Sequence, residues 1–263
     1  MALRATRTLL TRVSQSPSVP ARQTKPTRPT TILEVERKFR RLAVPTLTNL
    51  CTTTTSTTTA SNNDRRYHPN FRSVLPLPTR TIHDIYYDTP DHTLCTSGGA
   101  WIRRRNGEWQ AKLKRGGDFV NSRFEELRGA REIGACIRSI LLMNGDGGTG
   151  TGVVFQHEGE NNFGLEKLAE FVTTREAWLV DGEFQVVRDR MDFGHEVGEV
   201  ELQVEVPVEE AQKEKGVAMM EEMDRRIEGF MKRYAWAWEE GEAVGKLTAY
   251  FEMMGEKNKR GGV

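Results

Sequence analysis

In ILEVERKFR, residues 32–40, the charged side chains of Glu34, Glu36 and Lys38 alternate with Val35, Arg37 and Phe39. A period of two is the strand period, because successive strand side chains point to opposite faces. The stretch therefore reads as a strand with two carboxylates and an ammonium on one face. Val35 and Phe39 form its apolar side, where Arg37 needs solvent or a partner.

Other stretches repeat the pattern. AWIRRR (100–105) aligns Trp101, Arg103 and Arg105. Asn106-Gly107 follows, then EWQAKLKR (108–115), which aligns Gln110, Lys112 and Lys114. Strand, Asn-Gly, strand is a strong hairpin signal. VGEVELQVEV (197–206) sets Glu199, Glu201, Gln203 and Glu205 against Val200, Leu202, Val204 and Val206. TIHDIYY (81–87), RFEELRGA (123–130) and EFQVVRDR (183–190) read as further strands. FGLEKLAEFV (163–172) has apolar residues at helical spacing. So does 208–234, where Met219, Met223, Ile227, Met231 and Tyr234 recur every three or four residues. A last helix is expected over Lys246–Met254. The sum is an α+β pattern of antiparallel strands with covering helices.

One charged strand face alone describes a sheet wetted on one side. Here the amphipathic helices need apolar partners, which the Val200–Val206 face supplies. The charged faces then point away from the helices, into the lumen if the sheet closes. Strand carboxylates two residues apart sit roughly 7 Å from each other. At an effective dielectric near 20 they repel by about 2 kcal/mol, against about 0.6 kcal/mol in water. Ion pairing relieves part of that repulsion, and a divalent metal with a polyanion relieves more. Carboxylate oxygens suit Mg²⁺ or Mn²⁺, and arginine forks suit phosphate oxygens. The pattern points to phosphoryl chemistry, in which positioning and charge neutralisation supply most of the catalysis. No Ser/His/Asp or Cys/His arrangement is recognisable.

Composition narrows the classes. Hydrophobic residues make up 37% and charged residues 29% of the 263, enough for a core in a polar chain. No run approaches the ~18 apolar residues of a membrane span. The net charge of +1 hides a division: residues 1–33 hold six bases and no acid, so the rest carries a net −5. An acidic body argues against nucleic acid as a partner. The first segment, rich in Arg, Ser and Thr, has the character of a mitochondrial transit peptide, and a mitochondrial or cytoplasmic location is expected. Cys51, Cys95 and Cys136 lie far apart, and the five histidines are scattered. Neither a disulfide framework nor a zinc site is suggested. CTTTTSTTTASN (51–62) is low-complexity and reads as a surface insertion or disordered loop. NGDGGTGTG (144–152) contains a formal G-x-G-x-x-G. The sequence VVF follows instead of a helix, so a flexible loop is expected in place of a nucleotide site. Asp192-Phe193-Gly194 lacks the companion motifs of a kinase.

Together EVERKF, YYDTP, AWIRRR, FEEL, FVTTREAW and DFGHEVGEVEL, in this order, resemble the thiamine-triphosphatase branch of the CYTH, or triphosphate tunnel metalloenzyme, superfamily. The resemblance covers roughly residues 32–254. It implies one domain, placed at 32–255, from which the Thr-rich insertion at about 51–64 departs where the family usually holds a helix; the segments 1–31 and 256–263 are expected as disordered tails. The implied fold is an eight-stranded antiparallel β-barrel, a tunnel open at both ends, with flanking helices. The implied metal ligands for Mg²⁺ (or Mn²⁺) are Glu34, Glu36, Glu126, Glu199 and Glu201. The family's remaining aspartate maps near Val187, and Asp189, two residues on along the same face, is named for it. Lys38, Arg103, Arg105, Lys112, Arg175 and Lys246 would grip phosphate, with Lys114 an alternative to Lys112. Glu36, Lys38, Arg103 and Arg105 form the implied catalytic set. Trp101 would stack on a heteroaromatic group or simply serve as wall.

The activity so implied is Mg²⁺-dependent hydrolysis of thiamine triphosphate to the diphosphate and phosphate. An inorganic tripolyphosphatase or nucleoside triphosphatase on the same fold shares the phosphate grip, and adenylyl cyclase chemistry also occurs in the superfamily. A non-enzymatic polyphosphate-binding module would keep the cations but need not keep the carboxylates. The expected partner is a small-molecule triphosphate, with neither nucleic acid nor membrane, and the expected state is a monomer.

Overall fold

The computed structural model describes residues 29–48, 69–144, 160–239 and 241–260. Most of the basic segment, the Thr-rich tract with Cys51, most of the glycine-rich run, His68 and His157 lie outside the described residues. So do the expectations placed on them.

Eight strands close into an antiparallel barrel. They are β1 (Thr30–Phe39), β2 (Val74–Asp88), β3 (Ala100–Arg105), β4 (Glu108–Gly117), β5 (Asn121–Arg128), β6 (Glu166–Val180), β7 (Phe184–Met191) and β8 (Glu196–Pro207). Their order around the barrel is β1-β5-β4-β3-β2-β6-β7-β8, so β8 closes on β1. The helices are α1 (Thr93–Thr96), α2 (Ala130–Met143), α3 (Val208–Ala211), α4 (Glu214–Arg233) and α5 (Lys246–Arg260). Among the described residues no helix is long and apolar enough to cross a membrane.

The alternation of each strand decides what lies outside. Leu33, Val35 and Phe39 of β1, Val200, Leu202 and Val206 of β8, and Val186 of β7 bury their side chains in one cluster with α4. α4 contributes Met220, Met223, Ile227 and Phe230, with Tyr234 just beyond its end. The helix is therefore turned slightly from the expected stripe, for Met219 and Met231 lie at its partly buried margin. Gly198 of β8 pairs directly with Phe39. A Cβ there would sit 2.0 Å from the Phe39 ring, so only glycine lets the ring lie flat on the barrel wall. A second cluster joins Ile102 and Trp109 to Ile133, Ile137 and Leu141 of α2.

Arg37 has its partner on α4. Its Nη2 donates to Asp224 Oδ1 at 2.9 Å, and Arg123 Nη2 of β5 donates to Asp224 Oδ2 at 2.9 Å. Burial acts to raise the Asp224 pKa, but the two arginine hydrogen bonds outweigh it and hold the carboxyl below its ordinary 3.8. A depressed carboxylate stabilises the fold above its ordinary value, and this contribution is lost as pH falls through the native value. Asp224→Asn is therefore expected to lose about 1–2 kcal/mol at neutral pH. The loss should shrink as pH falls below the ordinary 3.8, where the unfolded chain protonates first, and vanish once pH passes the lower native value. Urea midpoints at pH 7 and pH 3 check this; an equal deficit at both would remove the charge from the argument.

One expected element is a different element. FGLEKLAEFV lies across a tight turn at Glu160–Gly164 and the start of β6, not on a helix. Asn161, Asn162 and Phe163 adopt left-handed φ of 48°, 53° and 59°, which breaks any helix there. β6 then buries Ala169, Phe171 and Thr173 on one face. Both faces of β6 carry apolar residues, so its strand period is masked. At the other end of the chain α5 continues to Arg260, past the expected Met254 and into the segment expected as a disordered tail.

Candidate functional site: the charged lumen

Residues paired directly across antiparallel strands share a face. β1 sets Glu34, Glu36 and Lys38 opposite Gln203, Glu201 and Glu199 of β8. β3 sets Trp101 opposite Lys112 and Arg103 opposite Gln110. Lys112 in turn faces Glu126, and Arg175 of β6 faces Asp189 of β7. The acidic and basic faces anticipated from sequence thus meet inside one barrel.

They meet in two ion-pair groups. In the first, Lys112 Nζ lies 2.5 Å from Glu34 Oε2 and 2.9 Å from Glu36 Oε2. Lys38 Nζ donates to Glu36 Oε1 at 2.5 Å, and Gln203 donates to Glu34 Oε1 at 2.7 Å. Glu126 stands farther off, 3.7 Å from Arg103 and 3.8 Å from Lys112. In the second group, Arg175 Nε and Nη2 donate to the two oxygens of Asp189 at 2.8 and 2.7 Å. The same guanidinium lies 3.4 Å from Glu199 and from Glu201. Lys246, the first residue of α5, reaches in to 2.6 Å from Asp189 and 3.2 Å from Glu199. Asp189, named with Val187 as its neighbour on the strand, is fully buried in this network, while Val187 pairs with Glu199.

Burial and crowding set the protonation. Burial would depress Lys112 and Lys246, but the surrounding carboxylates outweigh it and hold both above the ordinary range. Glu199 lies well below its ordinary value, because Lys246, Lys38 and Arg175 overcome its burial. Glu201 goes the other way. Burial, with Glu34 and Glu199 added, pushes it up to about 8 despite Arg175.

Among the described residues no three carboxylate, imidazole or thiol side chains converge as a ready-made metal cluster. Each carboxylate of the set is turned toward a cation instead. The donor chemistry nevertheless fits a hard divalent ion. Glu36 and Glu201 face each other across β1 and β8, flanked by Glu34 and Glu199. All are oxygen donors, with no thiolate to favour a softer metal.

The cations divide between two cavities. One, of about 370 Å³, is lined by Lys38, Arg103, Lys112, Lys246 and, on the same face, Lys114. Glu36 and Glu199 lie on its acidic side. The other, of about 380 Å³, is lined by Arg80, Arg105 and Arg175. Arg103 and Arg105, expected to grip together, are therefore drawn to different partners. Arg103 donates to Gln110 at 3.0 Å and to the Tyr86 hydroxyl at 3.4 Å. Arg105 is held by both oxygens of Asp84 at 2.8 Å. Trp101 lines the first cavity, edge-on to Phe124 with ring centroids 5.7 Å apart.

Sequence reasoning missed Asp84, Tyr86, Gln185 and Arg80. Asp84 is fully buried, and the Arg105 hydrogen bonds with the nearby Arg103 charge hold it below its ordinary value despite burial. Gln185 donates to Glu201 Oε2 at 2.7 Å. Asp84 and Tyr86 sit two apart in TIHDIYY, so the period that placed Glu34 and Glu36 on one face would have placed them too.

A family model described as the CYTH domain matches residues 72–229. The chain belongs to the CYTH family. Within that stretch the CYTH chain carries all the lumen cations named above except Lys38 and Lys246, which β1 and α5 add from either side. The thiamine-triphosphatase of Homo sapiens is 31% identical over 135 residues, which cover 47% of this chain and 56% of that protein. That of Macaca fascicularis is 30% identical over the same shares. The match thus spans about half the length of these curated relatives. A solved protein of Pyrococcus horikoshii shares 18% identity over 84% of this chain and 99% of its own, with a TM-score of 0.47.

Proposed function

We propose that this CYTH protein hydrolyses thiamine triphosphate to the diphosphate and inorganic phosphate, with Mg²⁺ as cofactor. The single observation that carries the reading is the facing of two charged walls inside one barrel. Glu34, Glu36 and Glu199 meet Lys38, Lys112 and Lys246 at ion-pairing range beside the cavity that Arg103 also lines, and Glu201 meets Arg175. The two named relatives are thiamine-triphosphatases, which supports the choice of ester.

Glu34, Glu36, Glu199 and Glu201, with Glu126 and Asp189 behind them, would hold the ion. Mg²⁺, when bound, supplies charge neutralisation on the phosphate oxygens. The chain does the rest by positioning. Lys38, Arg103 and Lys112 exchange carboxylate partners for phosphate oxygens, and Lys246 and Arg175 hold the acidic wall in place. Arg103 is fixed by Tyr86 and Gln110, so its guanidinium is oriented before the ligand arrives. Water adds to the terminal phosphorus as the bond to the bridging oxygen breaks. The diphosphate leaves as an anion, steadied by the same cations, so no acid is needed to protonate it.

Phosphate release is measured with thiamine triphosphate, tripolyphosphate and ATP under Mg²⁺ or Mn²⁺. The expected result is metal-dependent release with a higher kcat/KM for thiamine triphosphate. Equal use of all three would leave a general triphosphatase, and no release from any would leave a binding module.

A further inference from the structure

The two cavities differ in what surrounds their charges. The first is lined by Trp101, Phe119, Phe124 and Tyr86, whereas no aromatic side chain is among the residues lining the second. Phe124 and Tyr86 are spent on packing, being 7% and 6% exposed, and Lys112 covers the Phe124 ring at 4.8 Å. Trp101 is only half-buried, and Phe119 is 46% exposed.

Phe119 occupies the tip between β4 and β5, where the turn chemistry does not ask for an aromatic. Gly117 adopts φ +77°, and a Cβ there would fall 1.9 Å from Asn121 O. The Asp118 carboxylate accepts the Val120 and Asn121 N–H groups at 2.8 and 2.7 Å. Lys38 N–H donates to Val120 O at 3.0 Å, tying the tip to the end of β1. These bonds fix the tip without Phe119. Its ring then projects beside the cavity, edged by Gly245 just before α5, with Lys38 Nζ 5.8 Å from its centroid. An exposed ring on a rigid tip beside a charged cavity of about 370 Å³ that a second, half-buried aromatic also lines is a recognition surface more than a packing one.

We propose that Phe119 is a specificity-determining residue, which with Trp101 forms an aromatic clamp for a planar heteroaromatic group esterified to the triphosphate. The clamp rests on the triphosphatase reading above and adds the direction of binding. The ring lodges between Phe119 and Trp101, while the phosphates run inward past Lys38 and Arg103. A positively charged ring is favoured further, since both aromatic faces attract cations and Asp118 adds a carboxylate beside them.

The test compares wild type with Phe119→Ala, Phe119→Leu and Phe119→Tyr. Each is assayed under Mg²⁺ with inorganic tripolyphosphate and with whichever ester, thiamine triphosphate or ATP, the wild type uses better. Stacking one heteroaromatic ring is worth roughly ten-fold or more in affinity. Phe119→Ala is therefore expected to lower kcat/KM for the ester about ten-fold more than for tripolyphosphate, mainly through KM. Phe119→Tyr should restore the ratio and Phe119→Leu should not. Half-exposure of the ring predicts melting temperatures near wild type in all three, which a thermal melt confirms. An ester-to-tripolyphosphate ratio unchanged in Phe119→Ala, or restored by leucine, overturns the clamp alone. Wild-type preference for ATP overturns the choice of ester while still testing the clamp, and wild-type turnover of neither ester overturns both.

Discussion

Glu36→Gln is expected to lower turnover by about 10²–10³-fold, the loss usual when one preorganised charge is withdrawn from a transition state. Glu36 is the carboxylate shared by Lys38 at 2.5 Å and Lys112 at 2.9 Å, and it faces Glu201 across β1 and β8. The amide keeps the shape and one acceptor oxygen but removes the charge that a divalent ion would need. Its NH₂ group would also point at an ammonium. Binding of tripolyphosphate should survive in part, because Lys38 and Lys112 remain and lose a competing carboxylate. Phosphate release is followed across a Mg²⁺ titration, and tripolyphosphate binding by calorimetry. Turnover within two-fold of wild type would remove Glu36 from the metal wall.

The strands that bear on this prediction were legible because each buries one face and charges the other. Once Val35 and Phe39 go outward, Glu34, Glu36 and Lys38 have nowhere to point but the lumen. What alternation does not tell is which strands stand beside each other. Arg103 and Arg105 share a face, yet Tyr86 and Gln110 claim one and Asp84 the other. Partners on the two strands that flank β3, β2 and β4, therefore divide two arginines that look equivalent in sequence. Arg37 shows the same limit on the outer surface, where its partner Asp224 comes from a helix nearly two hundred residues away. β6 failed for a different reason. Leu165, Leu168, Ala169 and Val172 satisfy a helical stripe, and the left-handed turn at Asn161–Phe163 that forbids the helix follows only from recognising Asn-Asn as its signal. Arg175, the cation that this strand turns into the lumen, was named all the same, because it came with a motif rather than with a secondary-structure assignment.

Arg175→Met is expected to produce the largest loss of stability. Its guanidinium is the common partner of Asp189, Glu199 and Glu201, all at most 4% exposed. Burial acts to lower the Arg175 pKa, and those three carboxylates outweigh it and hold it far above its usual range. Methionine fills much of the volume but leaves the carboxylates facing one another with Lys246 as the nearest remaining cation. Removing one member of a buried ion pair costs about 3–5 kcal/mol, which for a domain of this size is on the order of 10 °C in melting temperature. Arg175→Lys should fall between, since it keeps the charge but cannot fork onto both oxygens of Asp189. The same argument fixes how Mg²⁺ acts on the variant. In the wild type a divalent ion must compete with Arg175 for the acidic wall, whereas in Arg175→Met it meets that wall uncompensated. The upward shift of melting temperature with Mg²⁺ should therefore be larger in the variant; saturation at a hundred times Kd is worth about 2.7 kcal/mol, most of the deficit. Melting curves of both proteins with Mg²⁺ and with chelator decide the point. A variant melting within about 2 °C of wild type, or gaining no more from Mg²⁺ than wild type does, would mean that Arg175 does not stand in for the metal on the acidic wall.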